Sequence, residues 1–454
     1  MSDVTSAVLA KARADGAHPA DLAALRRRLQ QLEQPDAGQL PGGDLEPLRG
    51  VPRLEELPQP SEAEARQVLD RLVVVKLNGG LGTSMGLSGP KSLLQVKPGR
   101  SFLDIFAQQV LATREWYDAR LPLLLMNSLA TREPSLRTLA RHPATAANGQ
   151  VPLDFLQGRE PKLRESDRRP VEWPQDPELE WCPSGHGDLY TSLAASGTLD
   201  ALVDAGMRWC FVSNSDNVGA LPDPRLASWV AAEGVPFAME AVRGTPADRK
   251  GGHLASYQGR TVLRETAQVP PGDASFTDVD RWQYYNTNNL WIDLQALQAL
   301  QASDPGGPAL PLIINRKTVD PSDPASTPVL QLETAMGAAI GAIEGARAVL
   351  VPRERFAPVK TTDDLLVVRS DAYQLTRDGR LQATVDGLPV VSLDPALFRL
   401  LPDFERRFSA GAPSLRGCRS LTVKGDVSFG AGVVVEGTVE VTGPRHVADG
   451  EVLR

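Results

Sequence analysis

The chain has 454 residues, 42% hydrophobic and 23% charged, enough for two or three folding units with a sizeable core. Its formal charge of −8 argues against a general affinity for nucleic acid, which depends on many lysine and arginine contacts. Three cysteines, Cys182, Cys210 and Cys418, are too few and too scattered for a disulfide framework or a zinc site, and no apolar stretch is long enough to cross a membrane.

The N-terminus, Met1-Ser2-Asp3-Val4, lacks a basic region followed by an apolar run, so no secretory signal is expected and a cytoplasmic location is. Residues 1 to about 34 are rich in Ala, Leu and Arg. Leu22, Leu25, Leu29 and Leu32 fall on one helical face, with Arg26-Arg27-Arg28 read as its solvated side. Pro35 is expected to end this helix, and the proline- and glycine-containing stretch to Pro60 reads as an extended connector. Ser61-Glu62-Ala63-Glu64 then has capping-box spacing for a short helix.

From Leu72 onward apolar runs alternate with helical patterns. The predicted strands are Leu72–Leu77, Leu121–Met126, Trp209–Ser213, Phe237–Val242, Leu290–Ile292, Ala348–Val351 and Leu365–Arg369. The predicted helices are Phe102–Tyr117, Asp188–Ala205, Leu294–Gln301 and Leu330–Gly345. Such alternation predicts a largely parallel α/β sheet with ligands over the carboxyl ends of its strands. Beyond residue 414 the period changes. Leu421, Val427, Val433 and Val439 are spaced by six, as are Val423, Phe429, Val435 and Val441, with Gly425, Gly437 and Gly443 recurring alongside. A hexapeptide period predicts a parallel β-helix, and plain strand alternation would not explain the glycines. This end holds none of the candidate ligands and reads as scaffold.

The chemistry begins where the first strand meets Asn78-Gly79-Gly80-Leu81-Gly82-Thr83-Ser84-Met85-Gly86, with Gly89-Pro90-Lys91-Ser92 just beyond. Glycines let backbone N–H groups converge on one point, a concavity suited to phosphate, and Lys91 adds a full positive charge. A Walker A loop needs glycine before the lysine, where Pro90 stands. A dinucleotide fingerprint needs a third glycine where Met85 stands. Asp216 is the metal candidate, because Mg2+ prefers one or two carboxylates plus substrate phosphates and water. Asn214 and Asn217 suit the turn on their own, and by itself this segment reads as an Asx turn. Asp188 suits a helix cap. His186 lies between Gly185 and Gly187, so its ring is not expected in the core, and no other His or Cys stands at zinc-ligand spacing.

The loop from Lys76 to Gly86 with Gly89-Pro90-Lys91-Ser92 resembles the nucleotide-binding loop of eukaryotic-type UTP–glucose-1-phosphate uridylyltransferases (UDP-glucose pyrophosphorylases). Seven further segments match in order: Leu125–Ser128, Gly185–Asp188, Ser213–Asn217, Lys250–Gly252, Asn286–Trp291, Gln331–Ala335 and Pro358–Thr362. The resemblance runs from about Val73 to Val441. It implies a Rossmann-like, GT-A-like mixed α/β sheet flanked by helices over residues 71–395. A helical arm and linker over 1–70 and a left-handed parallel β-helix over 396–454 complete the expected organisation. It also implies reversible conversion of UTP and glucose 1-phosphate to UDP-glucose and pyrophosphate, with Mg2+ as cofactor.

On the same resemblance, Leu77, Asn78, Gly79, Gly80, Lys91, Gln157, Gly185, Asp216 and Lys360 bind UTP. His186, Asn214, Ser215, Asp216, Gly252 and Asn288 bind glucose 1-phosphate, and Lys91 and Lys360 are catalytic. Gly251 is a further backbone contact, Glu265 a weaker sugar-side candidate and Met126 a neighbour of the base. The Cys182-Pro183-Ser184 segment departs from the family, which more often has an aromatic residue and paired prolines there. The C-terminal end is also shorter than usual, which puts end-to-end assembly in doubt, and a monomer or small homo-oligomer is expected. A related UDP-sugar or UDP-N-acetylhexosamine pyrophosphorylase is the nearest alternative. A non-catalytic sugar-nucleotide binder is disfavoured by Lys91, Asp216 and Lys360 occurring together.

Overall fold

A ten-stranded mixed sheet forms the centre of the molecule, in a computed structural model that describes residues 3–34, 38–146, 149–245 and 248–454. Its middle is parallel. Leu72–Asn78 lies between Trp209–Asn214 and Leu123–Asn127, and Asp154–Leu156 follows at the edge. These strands are near-continuous apolar runs because both faces are covered. The other half is antiparallel around the long strand Tyr284–Asp293, which pairs with Trp209–Asn214, Phe237–Arg243 and His253–Tyr257. The sheet is therefore mixed rather than largely parallel.

Several local expectations hold to within a residue or two. Phe102–Tyr117 is a helix capped by Ser101, and Ser61 with Glu64 forms the expected capping box before Glu62–Leu69. Other expectations fail for identifiable reasons. Leu365–Arg369 is not a strand but lies in the helix Thr362–Arg369, because Thr361 and Asp364 cap that segment reciprocally. Leu330–Gly345 is not one helix. Pro328–Thr334 pairs as a strand with Leu312–Thr318, and only the short helical turns Met336–Ala338 and Ala339–Ala342 follow. Buried Leu330 and Leu332 alternate with Gln331 and Glu333, and that period of two prevails. Asp188–Ala205 divides into Leu189–Ala195 and Thr198–Asp204 at Gly197, whose φ is +71°.

The N-terminal arm is likewise two helices, Asp3–Ala14 and Pro19–Leu32. Pro35 lies outside the described residues. Leu25, Leu29 and Leu32 are buried as the pattern requires. The arginine run is not simply a solvated face: Arg28 is buried in an ion pair with Glu160 at 2.7 Å, and Arg27 bonds the Gly307 carbonyl at 2.9 Å. Among the described residues no helix is long and apolar enough to cross a membrane. All three cysteines are buried and free.

The C-terminal hexads stack in parallel. Leu421 pairs with Val439, Val427 with Arg445 and Val434 with Val452. Each offset is eighteen residues, three hexads per coil. All eight residues of the two hexad series are buried, in one apolar cluster with Phe398, Phe404 and Phe408. A parallel β-helical coil follows directly from that spacing.

Candidate active site

The glycine loop, the Asn127 turn and the Asn214–Asn217 turn all leave the carboxyl edge of the parallel strands, where a doubly wound sheet binds its ligands. Lys76 and Ser213 are in register, as are Leu77 and Asn214. Ser215 then donates its N–H to the Leu77 carbonyl at 3.2 Å, joining the glycine loop to the Asp216 turn. The Lys91 N–H closes on the Gly80 carbonyl at 3.2 Å, and Lys91 Nζ reaches Asp216 Oδ2 at 2.7 Å. Two residues 125 apart in the chain thus meet beyond the carboxyl edge of the sheet. Asp216 Oδ1 is buried and has no partner.

A second group assembles around Gln157. Its Nε2 donates to the Gly185 carbonyl at 2.9 Å, and a Cβ on Gly79 would lie 2.4 Å from its Oε1. A side chain at position 79 would push the Gln157 amide away from this place. Gly185 has φ +82°, and a Cβ there would meet the Thr334 carbonyl at 2.6 Å. Asn78 turns inward instead. Its amide donates to Asn127 Oδ1 and Ser135 Oγ, both at 2.7 Å, so its side chain braces the loop from behind. Met126 is buried in the central core.

His186 is half-buried rather than freely exposed, and its Nδ1 accepts the Met336 N–H at 3.0 Å. Withdrawal from water pulls its pKa down to about 4, so the ring is neutral near pH 7. With Nδ1 accepting, the proton resides on Nε2, leaving a hydrogen-bond donor. Asp188 does not cap the next helix with its side chain. It accepts from the Gly158 N–H at 2.7 Å and the Thr191 hydroxyl at 2.9 Å.

The third group surrounds Asn288, which sits at φ +58° within the Tyr284–Asp293 strand. Asn286 fixes it at both ends, donating from Nδ2 to Asn288 Oδ1 and accepting the Asn288 N–H, each at 2.8 Å. Asn286 also acts on Glu265, lowering its pKa, and the Glu265 carboxylate faces Gly252. Burial raises the Glu265 pKa above the usual carboxylate value, and the positive charge of Lys360 works against that rise. Gly251 is not drawn into these contacts; a Cβ there would face the Asp248 carbonyl and Tyr285.

The first and third groups are fastened to the Lys360 loop by residues whose spacing in the sequence gives no sign of it. The Val359 N–H bonds the Asp216 carbonyl at 3.2 Å, and the Ala357 N–H bonds Asn217 Oδ1 at 3.0 Å. Asn217 and Asn289 both donate to the Arg355 carbonyl. The Arg355 guanidinium holds Glu240 through two bonds of 2.8 and 2.6 Å, and Glu240 also accepts from Asn289 and Trp291. Thus the Asp216 turn, the Lys360 loop and the Asn288 strand share one buried network. The only local signal was a lone glutamate inside the apolar run Phe237–Val242.

Met85 of the glycine loop, Val218 after the Asp216 turn and Val359 before Lys360 are buried in the cluster that contains the C-terminal hexads. These three segments therefore share their apolar support with the coil.

Among the described residues no cluster of three or more His, Cys, Asp or Glu forms a metal cage. The orphaned Oδ1 of Asp216 nevertheless leaves one carboxylate oxygen for a cation held mainly by phosphate oxygens.

A profile of the UTP–glucose-1-phosphate uridylyltransferase family matches residues 34–436. The enzyme of that name from Solanum tuberosum is 40% identical over 402 residues, covering 86% of this chain and 82% of its own. That from Hordeum vulgare is 40% identical over 408 residues, covering 87% and 83%. A UDP-glucose pyrophosphorylase variant from Leishmania major, solved in complex with UDP-glucose, superposes with a TM-score of 0.93 at 40% identity over 100% of this chain and 98% of that one. A Trypanosoma brucei structure gives 0.91 at 41% identity over the same shares. With its site residues gathered at the carboxyl edge of the same fold, this chain belongs to the UTP–glucose-1-phosphate uridylyltransferase family.

Proposed function

We propose that the cleft between Lys91, Asp216 and Lys360 is where this uridylyltransferase joins UTP to glucose 1-phosphate. The observation that carries this is the convergence of the Lys91–Asp216 pair with the Asp216–Val359 backbone bond that places Lys360. A phosphate oxygen of glucose 1-phosphate attacks the α-phosphorus, the α–β bridging P–O bond breaks, and pyrophosphate leaves. The sugar phosphate is already a nucleophile, so no general base or covalent intermediate is needed. Both reactants are anions, and charge neutralisation with positioning carries the catalysis.

Lys91 and the backbone of Leu77, Gly79 and Gly80 hold the nucleotide phosphates, and Gln157 with Gly185 reads the uracil edge. Asn78 acts here through the brace it makes behind the loop. His186 offers Nε2–H to glucose 1-phosphate, and Asn288, Gly252 and Glu265 take the sugar hydroxyls. Asn214 and Ser215 align the sugar phosphate. Asp216, through its free Oδ1, would hold Mg2+ together with the substrate phosphates, and the metal would neutralise their charge and polarise the α-phosphate.

Several coarser features extend to finer readings by resemblance. The catalytic unit over 71–395 is taken as GT-A-like, with the arm over 1–70 and a left-handed coil over 396–454. The protein is placed in the cytoplasm, as a monomer or small homo-oligomer.

The test is pyrophosphate release with UTP across a panel of sugar 1-phosphates. UTP with glucose 1-phosphate is expected to give the highest specificity constant. A higher value for ATP or dTTP, or for N-acetylglucosamine 1-phosphate, would overturn the assignment.

A further inference from the structure

Lys76 is the one charged residue in the strand Leu72–Asn78 and is 1% exposed. Its Nζ donates to Ser213 Oγ at 2.7 Å and to the Ala220 carbonyl at 2.9 Å, and lies 4.1 Å from the centre of the Phe106 ring. No carboxylate pairs with it among the described residues, because the nearby Glu240 is engaged by Arg355. An interior ammonium without a counter-ion is costly, and folding alone would favour an apolar side chain of similar length. Burial, reinforced by repulsion from Arg355 and opposed by Glu240, pulls its pKa down to about 7.

The two acceptors explain what the cost secures. Ser213 and Ala220 flank the segment that carries Asn214, Ser215, Asp216 and Asn217. That segment is tied to the glycine loop through Ser215 and Leu77, and to the Lys360 loop through Asp216 and Val359. We infer that Lys76 is a positioning residue for uridylyl transfer, clamping both ends of the Asp216 turn so that Asp216 meets Lys91 and the Lys360 loop in one geometry. Lys76 itself touches no reacting atom. The inference rests on the uridylyltransferase reading of this site and adds a residue whose two buried hydrogen bonds serve the reaction rather than the fold.

The test compares Lys76→Met with the wild type in three measurements: melting temperature, equilibrium UTP binding by calorimetry without metal, and kcat with KM for both substrates. Methionine fills the space beside Phe106 without a buried charge. The expected result is an unchanged or higher melting temperature, UTP binding close to wild type, and kcat lowered about 10- to 100-fold, the scale of a misplaced catalytic constellation. Ser213→Ala, which keeps the cation but removes one of its two bonds, should lower kcat by a smaller factor in the same direction. A wild-type kcat in Lys76→Met would overturn the inference, as would a lower melting temperature accompanied by parallel loss of UTP binding. Should Lys76→Met prove insoluble, Ser213→Ala decides alone, and an unchanged kcat there would overturn the clamp. A wild-type protein that releases no pyrophosphate strikes the reading of the reaction instead, so the two failures are distinguishable.

Discussion

Lys91 Nζ and Asp216 Oδ2 lie 2.7 Å apart, and this pair links the glycine loop to the turn after the neighbouring strand. Both side chains are only about 15% exposed, so the charges are mutually neutralised before any substrate arrives. On the proposed reading, nucleotide phosphates would offer Lys91 a second anionic partner and release the carboxylate for a cation. The pair would then be a resting arrangement of two groups that the reaction uses separately.

Asp216→Asn tests that division of labour. The turn is held by backbone bonds through Ser215 and Val359, which asparagine preserves. The loss of one largely buried ion pair should cost roughly 1.5–3 kcal/mol in stability. Most divalent-metal-dependent activity should disappear, because an amide is a poor substitute for a carboxylate on Mg2+. The check is turnover against Mg2+ concentration at fixed UTP. Near wild-type turnover at limiting Mg2+ would remove Asp216 from the metal site.

The C-terminal coil contains no candidate ligand, and from the sequence alone its removal should harm stability or assembly more than chemistry. The shared cluster of Met85, Val218 and Val359 with Leu421, Val439 and Phe429 changes that expectation. A chain ending near Ser414 should lose thermal stability and pyrophosphate release together. Met85→Ala is the milder version, expected to cost roughly 2–5 kcal/mol as a core truncation and to raise KM for UTP through the loosened loop. Met85→Ala with lowered stability but unchanged UTP kinetics would show that the coil supports the fold without positioning the loop.

What was legible in the chain was local. The glycine loop announced itself because clustered glycines beside a lysine are a local pattern, and Gly82 and Gly86 do take positive φ. The hexads did so because one coil is three repeats, as the Leu421–Val439 pairing bears out. What was not legible depended on partners distant in sequence. Leu330–Thr334 became a strand only by pairing with Leu312–Arg316, and Leu365–Arg369 was a short apolar run that either period accommodates. Glu240, Arg355 and Lys76 look like ordinary charges until folding encloses them. Their roles follow from burial and pairing, which spacing does not encode.

His253, next to Gly252, provides a pH-dependent prediction. It is fully buried, stacks on Trp282 with ring centres 4.7 Å apart, and neither ring nitrogen has a hydrogen-bond partner. Burial, with Arg264 and Arg281 near by, holds its pKa down to about 3. The unfolded chain takes up this proton below about pH 6.5 while the folded chain does not. The stability associated with the neutral ring is therefore complete above pH 6.5 and is lost as pH falls toward 3. At pH 5 the loss from this group alone is about 2 kcal/mol. His253→Phe should match or exceed wild-type stability at pH 7.5 and lose less of it at pH 5. Equal losses on acidification, measured by denaturant unfolding at both pH values, would assign the acid sensitivity to other groups.

Lys360→Ala should lower turnover far more than it weakens UTP binding. The Lys360 backbone is fixed by Asp364, which accepts its N–H at 2.8 Å, and by buried Val359 beside it. Lys360 is exposed, its positive charge opposes the burial-raised pKa of Glu265, and on the proposed reading it meets the attacking phosphate. An interaction that strengthens as charge shifts toward the transition state appears in kcat, whereas a ground-state contact appears in binding. Losing one such contact typically costs about 2.7–4 kcal/mol, roughly a hundred- to a thousandfold in rate. Lys360→Arg should not restore the wild-type rate, because a planar guanidinium cannot place its charge at the same point. The deciding measurement is single-turnover kinetics beside equilibrium UTP binding. An unchanged rate with weakened binding would make Lys360 a ground-state anchor and leave the transition-state charge to Lys91 and the Asp216 site.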